Sequence, residues 1–252
     1  MLSQAEKGGV QNTIQNCVTV LQNDPVLADS IRLNLLSERI DIVKPMGWQR
    51  SGPTLTDTDM MYILRRMEKY GLYSEKRVSA AIRIVANENH YHPIRDYLND
   101  LKWDGAERIS HALHRFLGAA EDELTAEALK IFLLGAIKRV FHPGCKFEMM
   151  LCLVGGQGAG KSSFFRLLAI KDEWFSDDLR RLDDDNVFRK LQGHWIMEMS
   201  EMIATANAKS IEEIKSFLSK QKETYKIPYE THPADRLRQC VFAGTTNRQD
   251  FL

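Results

Sequence analysis

Eight consecutive residues carry the clearest chemistry in this chain. Gly155-Gly156-Gln157-Gly158-Ala159-Gly160-Lys161-Ser162 satisfies G-x-x-x-x-G-K-[ST] at every position. The glycines let the backbone turn several N–H groups inward onto phosphate oxygens, and Ser163 extends the same cradle. The loop runs into a helix N-terminus, where unpaired N–H groups and the helix dipole favour anions. Lys161 would reach the β- and γ-phosphates of a nucleoside triphosphate, and the Ser162 hydroxyl would bind Mg²⁺.

The flanking residues supply the setting that loop needs. Met149 to Val154 is a continuous apolar run, as expected of a central parallel strand, and residues 161–169 form an amphipathic helix. A second apolar run, Trp195 to Glu201, ends in acids and has the form of a Walker B strand. Glu198 would hold the metal, directly or through water, and Glu201 would orient or deprotonate an attacking water; their spacing leaves the division of roles open. A third run, Cys240 to Asn247, turns polar at its carboxyl end, where the Asn247 amide could sense the γ-phosphate. Asn247-Arg248-Gln249-Asp250 imitates the guanine-reading N-K-x-D, but arginine replaces lysine and no D-x-x-G intervenes, so a GTPase is rejected.

Between the second and third runs, Lys220, Lys222 and Lys226 cluster near Tyr225 and Tyr229, and Pro228 and Pro233 imply an irregular hairpin. Such a hairpin could present lysine and tyrosine to single-stranded DNA by charge and stacking. A plain surface connection is the alternative, because residues 217–240 carry only five basic side chains against three acidic. His90-Tyr91-His92 has the form of a His-x-His metal pair, with Tyr97 nearby. Pro93 follows at once and the neighbours are helical, so a nuclease centre is not supported.

The rest of the chain must position these groups. The 252 residues allow one large domain or two modest ones, with 44% hydrophobic and 27% charged residues in ordinary globular proportion. Lys plus Arg and Asp plus Glu are both 34, so bulk charge says nothing about nucleic acid. No apolar run is long enough to span a bilayer, no export signal opens the chain, and Cys17, Cys145, Cys152 and Cys240 lack metal-knuckle spacing. A cytoplasmic location with reduced thiols is expected. Helical spacing is read over 25–40, from Thr56/Thr58 to Gly71, over 74–87, after Pro93, over 106–117 and over 123–141. The last is apolar around most of its circumference and so expected to be well buried. Residues 62–83 hold six basic side chains against two acidic, with three tyrosines interleaved. This suits a helix-turn-helix-like nucleic-acid element or a merely solvated face.

The segments HPIRDYLNDLKWDG (92–105), HPGCKFEMMLCLVGGQGAGKS (142–162), EWFSDDL (173–179), LQGHWIMEMSE (191–201), EEIKSFLSKQKETYKIPYE (212–230) and RQCVFAGTTN (238–247) resemble, in this order, the virulence-associated E family. That family comprises phage, plasmid and genomic-island proteins related to superfamily 3 replicative helicases. The resemblance implies an ATPase core of the additional-strand type, acting on single-stranded or fork DNA during replication of a mobile element, in a homo-oligomeric ring such as a hexamer. It implies that Lys161 and Ser162 bind ATP and Mg²⁺, that Glu198 and Glu201 are the Walker B acids, and that Asn247 is the polar sensor. The segment Lys215 to Tyr229 falls where related helicases carry a DNA-contacting hairpin. Family members continue into arginines of G-x-R-R-F type, whereas this sequence ends at Leu252. A fragment that binds ATP and hydrolyses it poorly is therefore expected.

The expected fold is α/β: a P-loop NTPase core with a mostly parallel sheet over 121–252, after a mostly helical N-terminal domain over 1–120 holding a candidate DNA-binding element. The rival readings are an ATP-dependent interaction or phage-interference module without unwinding, and a P-loop kinase. The kinase is disfavoured by the acid pair and the absence of a clear arginine-rich lid.

Overall fold

The computed structural model describes residues 2–4, 8–179, 182, 187–200, 208–225 and 234–247. The chain divides into two compact units, Met1–Asp96 and Tyr97–Leu252. The helix at 109–117, expected in the N-terminal domain, packs on the following helix and belongs with the C-terminal unit.

The N-terminal unit contains α1 (Ile14–Asn23), a hairpin of β1 (Ile31–Asn34) and β2 (Arg39–Ile42), α2 (Asp57–Met67), a 3₁₀ turn (Glu68–Tyr70) and α3 (Glu75–Glu88). The helix expected over 25–40 is not there. Asp24 Oδ1 accepts from the N–H groups of Val26 and Leu27 and closes a turn. Asn34 Oδ1 accepts from Leu36 and Ser37, and Glu38 adopts φ 53°, so the chain reverses and pairs antiparallel. The leucines and isoleucines at helical spacing are equally compatible with a hairpin, and cross-strand pairing decides between the two.

Elsewhere the local signals hold. Thr56 caps α2 in a capping box with Asp59, and Gly71 ends the 3₁₀ turn at φ 76°. Val78, Ala81, Ile82 and Val85 are buried on one face of α3. α3 packs on α1 and β1, and its buried face shares one core with Ile63 and Met67 of α2. Cys17, Leu21, Ile31, Ile63, Met67 and Val78 centre the core of this unit.

The unit boundary falls within α4 (Pro93–Asp100). α5 (Ile109–Leu117) and α6 (Glu123–Phe141) lead into a four-stranded parallel sheet of β3 (Met150–Val154), β4 (Phe175–Ser176), β5 (Ile196–Met199) and β8 (Val241–Thr246). Its order is β3-β8-β5-β4. α7 (Lys161–Leu168) connects β3 towards β4, α8 (Val187–Leu191) precedes β5, and α9 (Ala208–Ser219) precedes a hairpin of β6 (Lys222–Tyr225) and β7 (Ala234–Leu237). β3 is therefore an edge strand among the described residues and only half-buried, not the central strand its apolar run suggested. The central strands are β8 and β5, and every residue of both is buried.

α6 is also less buried than its composition suggested, since Leu124 is 80% and Leu134 56% exposed. Its inner face is tightly fastened. Gly135 lies against the Phe147 ring, Ala136 O accepts from Trp195 Nε1 at 3.0 Å, and the Arg139 guanidinium is fully buried. Arg139 donates to Cys240 O and to Phe147 O, each at 2.7 Å, at the lead-ins of β8 and β3. Burial, as the largest influence, pulls the Arg139 pKa down. Trp174 and Trp195 meet edge to face, and Phe217 and Phe242 do the same.

Candidate functional site

The site lies at the carboxyl ends of the central strands, where open α/β sheets leave a crevice. The loop 155–160 leaves β3 with Gly155 N still donating to Thr246 O of β8 at 3.2 Å. Gly158 and Gly160 both take φ 80°, a left-handed conformation in which a Cβ is strained, and Gly160 caps α7. Buried Phe164 and Phe165 anchor α7 against the sheet and so fix where its first residues point.

Side chains from three elements converge there. Lys161 Nζ donates to Gly155 O at 2.7 Å, Gly156 O at 2.8 Å and Asn247 Oδ1 at 3.0 Å. Ser162 Oγ donates to Glu198 Oε1 at 2.7 Å. Thr245 Oγ1 donates to the same oxygen at 2.5 Å. Glu198 is 1% exposed, and its other oxygen, Oε2, has no hydrogen-bond partner. An open pocket of ≈ 470 Å³ collects Gln157 to Ser163, Ser200, Thr245, Thr246 and Asn247.

This arrangement can hold an anion against the loop and the α7 N-terminus, with one ammonium alongside. The donor set also fits Mg²⁺, which takes hard oxygen ligands. Ser162 Oγ donates a hydrogen bond to Glu198 Oε1, which leaves its lone pairs for a metal, and the buried Glu198 Oε2 lacks any donor. Among the described residues no group of three or more His, Cys, Asp or Glu is placed to hold a metal. His92 instead is buried and its Nδ1 accepts from Arg95 N at the start of α4.

Of the residues singled out by sequence, Lys161, Ser162, Glu198 and Asn247 come together, and Gln157 to Ser163 line the pocket. Glu201 and Lys226 lie outside the described residues. Lys222 pairs with Asp235 at 2.5 Å across the β6–β7 hairpin, and Lys220 lies 4.9 Å over the Phe188 ring and 3.9 Å from Glu223. Tyr225 is the last residue of β6, opposite Ala234. At the hairpin's base the buried Arg238 pairs with Glu223 and donates to Phe217 O. Sequence reasoning passed over Thr245, Arg139 and Arg238. Only Thr245 left a signal, a hydroxyl at the polar end of an apolar run.

Fold and site together define an α/β protein whose parallel sheet carries a glycine loop and a buried carboxylate at its carboxyl edge. The chain belongs to the family of the virulence-associated protein E-like domain, whose model matches residues 98–252. Among solved structures it is similar to the apo C-terminal region of NrS-1, with TM-score 0.54 at 12% identity over 92% of this chain and 56% of the other. A second apo structure of that region, residues 305–718, gives TM-score 0.55 at 12% identity over 96% of this chain and 59% of the other. This chain thus spans less than two thirds of the length of those structures, and the likeness is one of fold. No curated protein matches the chain. No described helix is long and apolar enough to cross a membrane.

Proposed function

We propose that the C-terminal unit is a P-loop NTPase core that binds ATP with Mg²⁺ and hydrolyses it to drive a helicase-like step in the replication of a phage, plasmid or genomic island. The observation that carries this reading is the convergence of Lys161, Ser162 and Asn247 on one pocket at the glycine loop, with the buried Glu198 bonded to Ser162 behind it. The strand order supports the additional-strand class, because β8 stands between the loop strand β3 and the acid-bearing strand β5. Family membership supports the mobile-element setting.

In this reading the N–H groups of residues 155–163 cradle the phosphates. Lys161 leaves the carbonyls of Gly155 and Gly156 and turns to the β- and γ-phosphate oxygens. Ser162 and Glu198 hold Mg²⁺, which when bound neutralises charge on the phosphates. Glu201 orients or deprotonates the attacking water, and Asn247, freed from Lys161, positions that water against the γ-phosphate. The β6–β7 hairpin, with Lys220, Lys222, Tyr225 and Lys226, faces single-stranded or fork DNA, and the working form is a homo-oligomeric ring.

The test is ATP hydrolysis by the chain and by Lys161→Ala, with and without single-stranded DNA, alongside sizing. Nucleotide binding that depends on Lys161, with turnover that is low in this chain and rises with DNA, is expected. Absence of nucleotide binding by the unaltered chain would overturn the reading.

A further inference from the structure

We infer that Thr245 is a positioning residue that presents Glu198 Oε2 to a divalent cation, an assignment that rests on the nucleotide-site reading above. Register sets up the contact. Glu198 of β5 lies opposite Ala243 of β8, so the two side chains share one face of the sheet. Thr245 is two positions further along β8 and returns to that face, in the diagonal position next to Glu198. Its hydroxyl donates to Glu198 Oε1 at 2.5 Å, across 47 positions of sequence.

Ser162 of α7 donates to the same oxygen. The carboxylate is thus held from two elements through one oxygen, while the other, equally buried, receives nothing. Free rotation of the carboxylate would scramble that asymmetry, and two donors on Oε1 oppose it. Threonine suits the task because β-branching restricts χ1 and fixes where the hydroxyl points. At 5% exposure, Thr245 is held by the sheet around it. Carboxylates that bind metals are commonly oriented by such neighbouring hydrogen bonds. A role confined to satisfying a buried carboxylate would affect stability alone. A positioning role affects the cation.

The experiment uses the full chain, with Thr245→Val, which keeps the shape and loses the hydroxyl, and Thr245→Ser, which keeps the hydroxyl. A fluorescent ATP analogue is titrated in EDTA to give metal-free binding. Mn²⁺ is then titrated into the nucleotide complex and followed by electron paramagnetic resonance, with thermal melts confirming folding. The expected result, measured relative to each protein's own metal-free binding, is an about 10- to 100-fold weaker Mn²⁺ affinity in T245V and recovery of most of that loss in T245S. If T245V does not fold, T245A takes its place with the same expectation. Wild-type Mn²⁺ affinity in the hydroxyl-free variant overturns the assignment and leaves the nucleotide site standing. Equal losses in T245V and T245S also overturn it, because they trace the effect to the methyl packing. Absence of cation-dependent nucleotide binding in the unaltered chain overturns the nucleotide-site reading and this assignment with it.

Discussion

Lys161 and Asn247, 86 positions apart, meet at 3.0 Å, with the ammonium of the first α7 residue donating to the amide oxygen just past β8. Together with Gly155 O and Gly156 O, that contact gives each of the lysine's three protons an acceptor. A phosphate that draws Lys161 away therefore releases Asn247 as well. Substituting Asn247→Ala is expected to lower kcat by about 10² without weakening ATP binding, since the phosphate loses a competing acceptor for the Lys161 proton. Equilibrium binding and steady-state kinetics check this. A rise in Kd matching that of Lys161→Ala would show Asn247 to be a binding group only.

Arg139 is a buried cation held by backbone carbonyls at the lead-ins of two strands. Arg139→Ala leaves Cys240 O and Phe147 O without that donor and opens a cavity beneath the sheet. A loss of about 3–5 kcal/mol is expected, the size associated with broken buried polar contacts. Urea unfolding measures it, and a change below about 1 kcal/mol would show that water replaces the guanidinium freely.

Gly135 sits where an added Cβ would lie 2.1 Å from the Phe147 ring. Alanine is the better helix former by about 1 kcal/mol, but the ring must move, and its carbonyl is an Arg139 acceptor. Gly135→Ala is expected to destabilise by about 1–3 kcal/mol. A raised melting temperature would mean that helix propensity outweighs the clash.

Asp59 accepts from Trp48 Nε1 at 2.7 Å, from Arg50 Nε at 2.8 Å and from Thr56 N at 2.9 Å. Burial pushes its carboxyl up, but these hydrogen bonds, Arg50's foremost, outweigh burial and hold it well below the usual carboxylate range. A depressed folded-state pKa contributes stability that is full above the unfolded value of about 3.9 and lost as pH falls towards the folded value. Asp59→Asn should therefore destabilise the N-terminal unit most near neutral pH. The stability curves of the two proteins should converge in acid below about pH 4. Chemical denaturation across pH tests this, and a pH-independent gap would contradict it.

What was legible in the sequence is what depends on near neighbours. The glycine loop can be read because backbone conformations near φ 80° need glycine at fixed offsets from a helix start. The Thr56–Asp59 cap and the Gly71 stop reach only a few residues along the chain. The periodicity of α3 named its buried face correctly. The same reasoning misread 25–40, where apolar spacing fits two structures and only the pairing of Ile31 with Ile42 and Asn34 with Arg39 selects the hairpin.

The tertiary structure alone decided the rest. Nothing local places β8 between β3 and β5, makes β3 an edge among the described strands, or leaves Leu124 and Leu134 of α6 exposed. Thr245 gained its partner 47 positions away and Arg139 an acceptor 101 positions away. Sequence determined where the glycine loop, Lys161 and Ser162 fall along the chain, because that motif lies in residue type and short spacing. The fold decided which oxygen of Glu198 is held and which is left free, because strand register and helix placement sum over contacts that no local window contains.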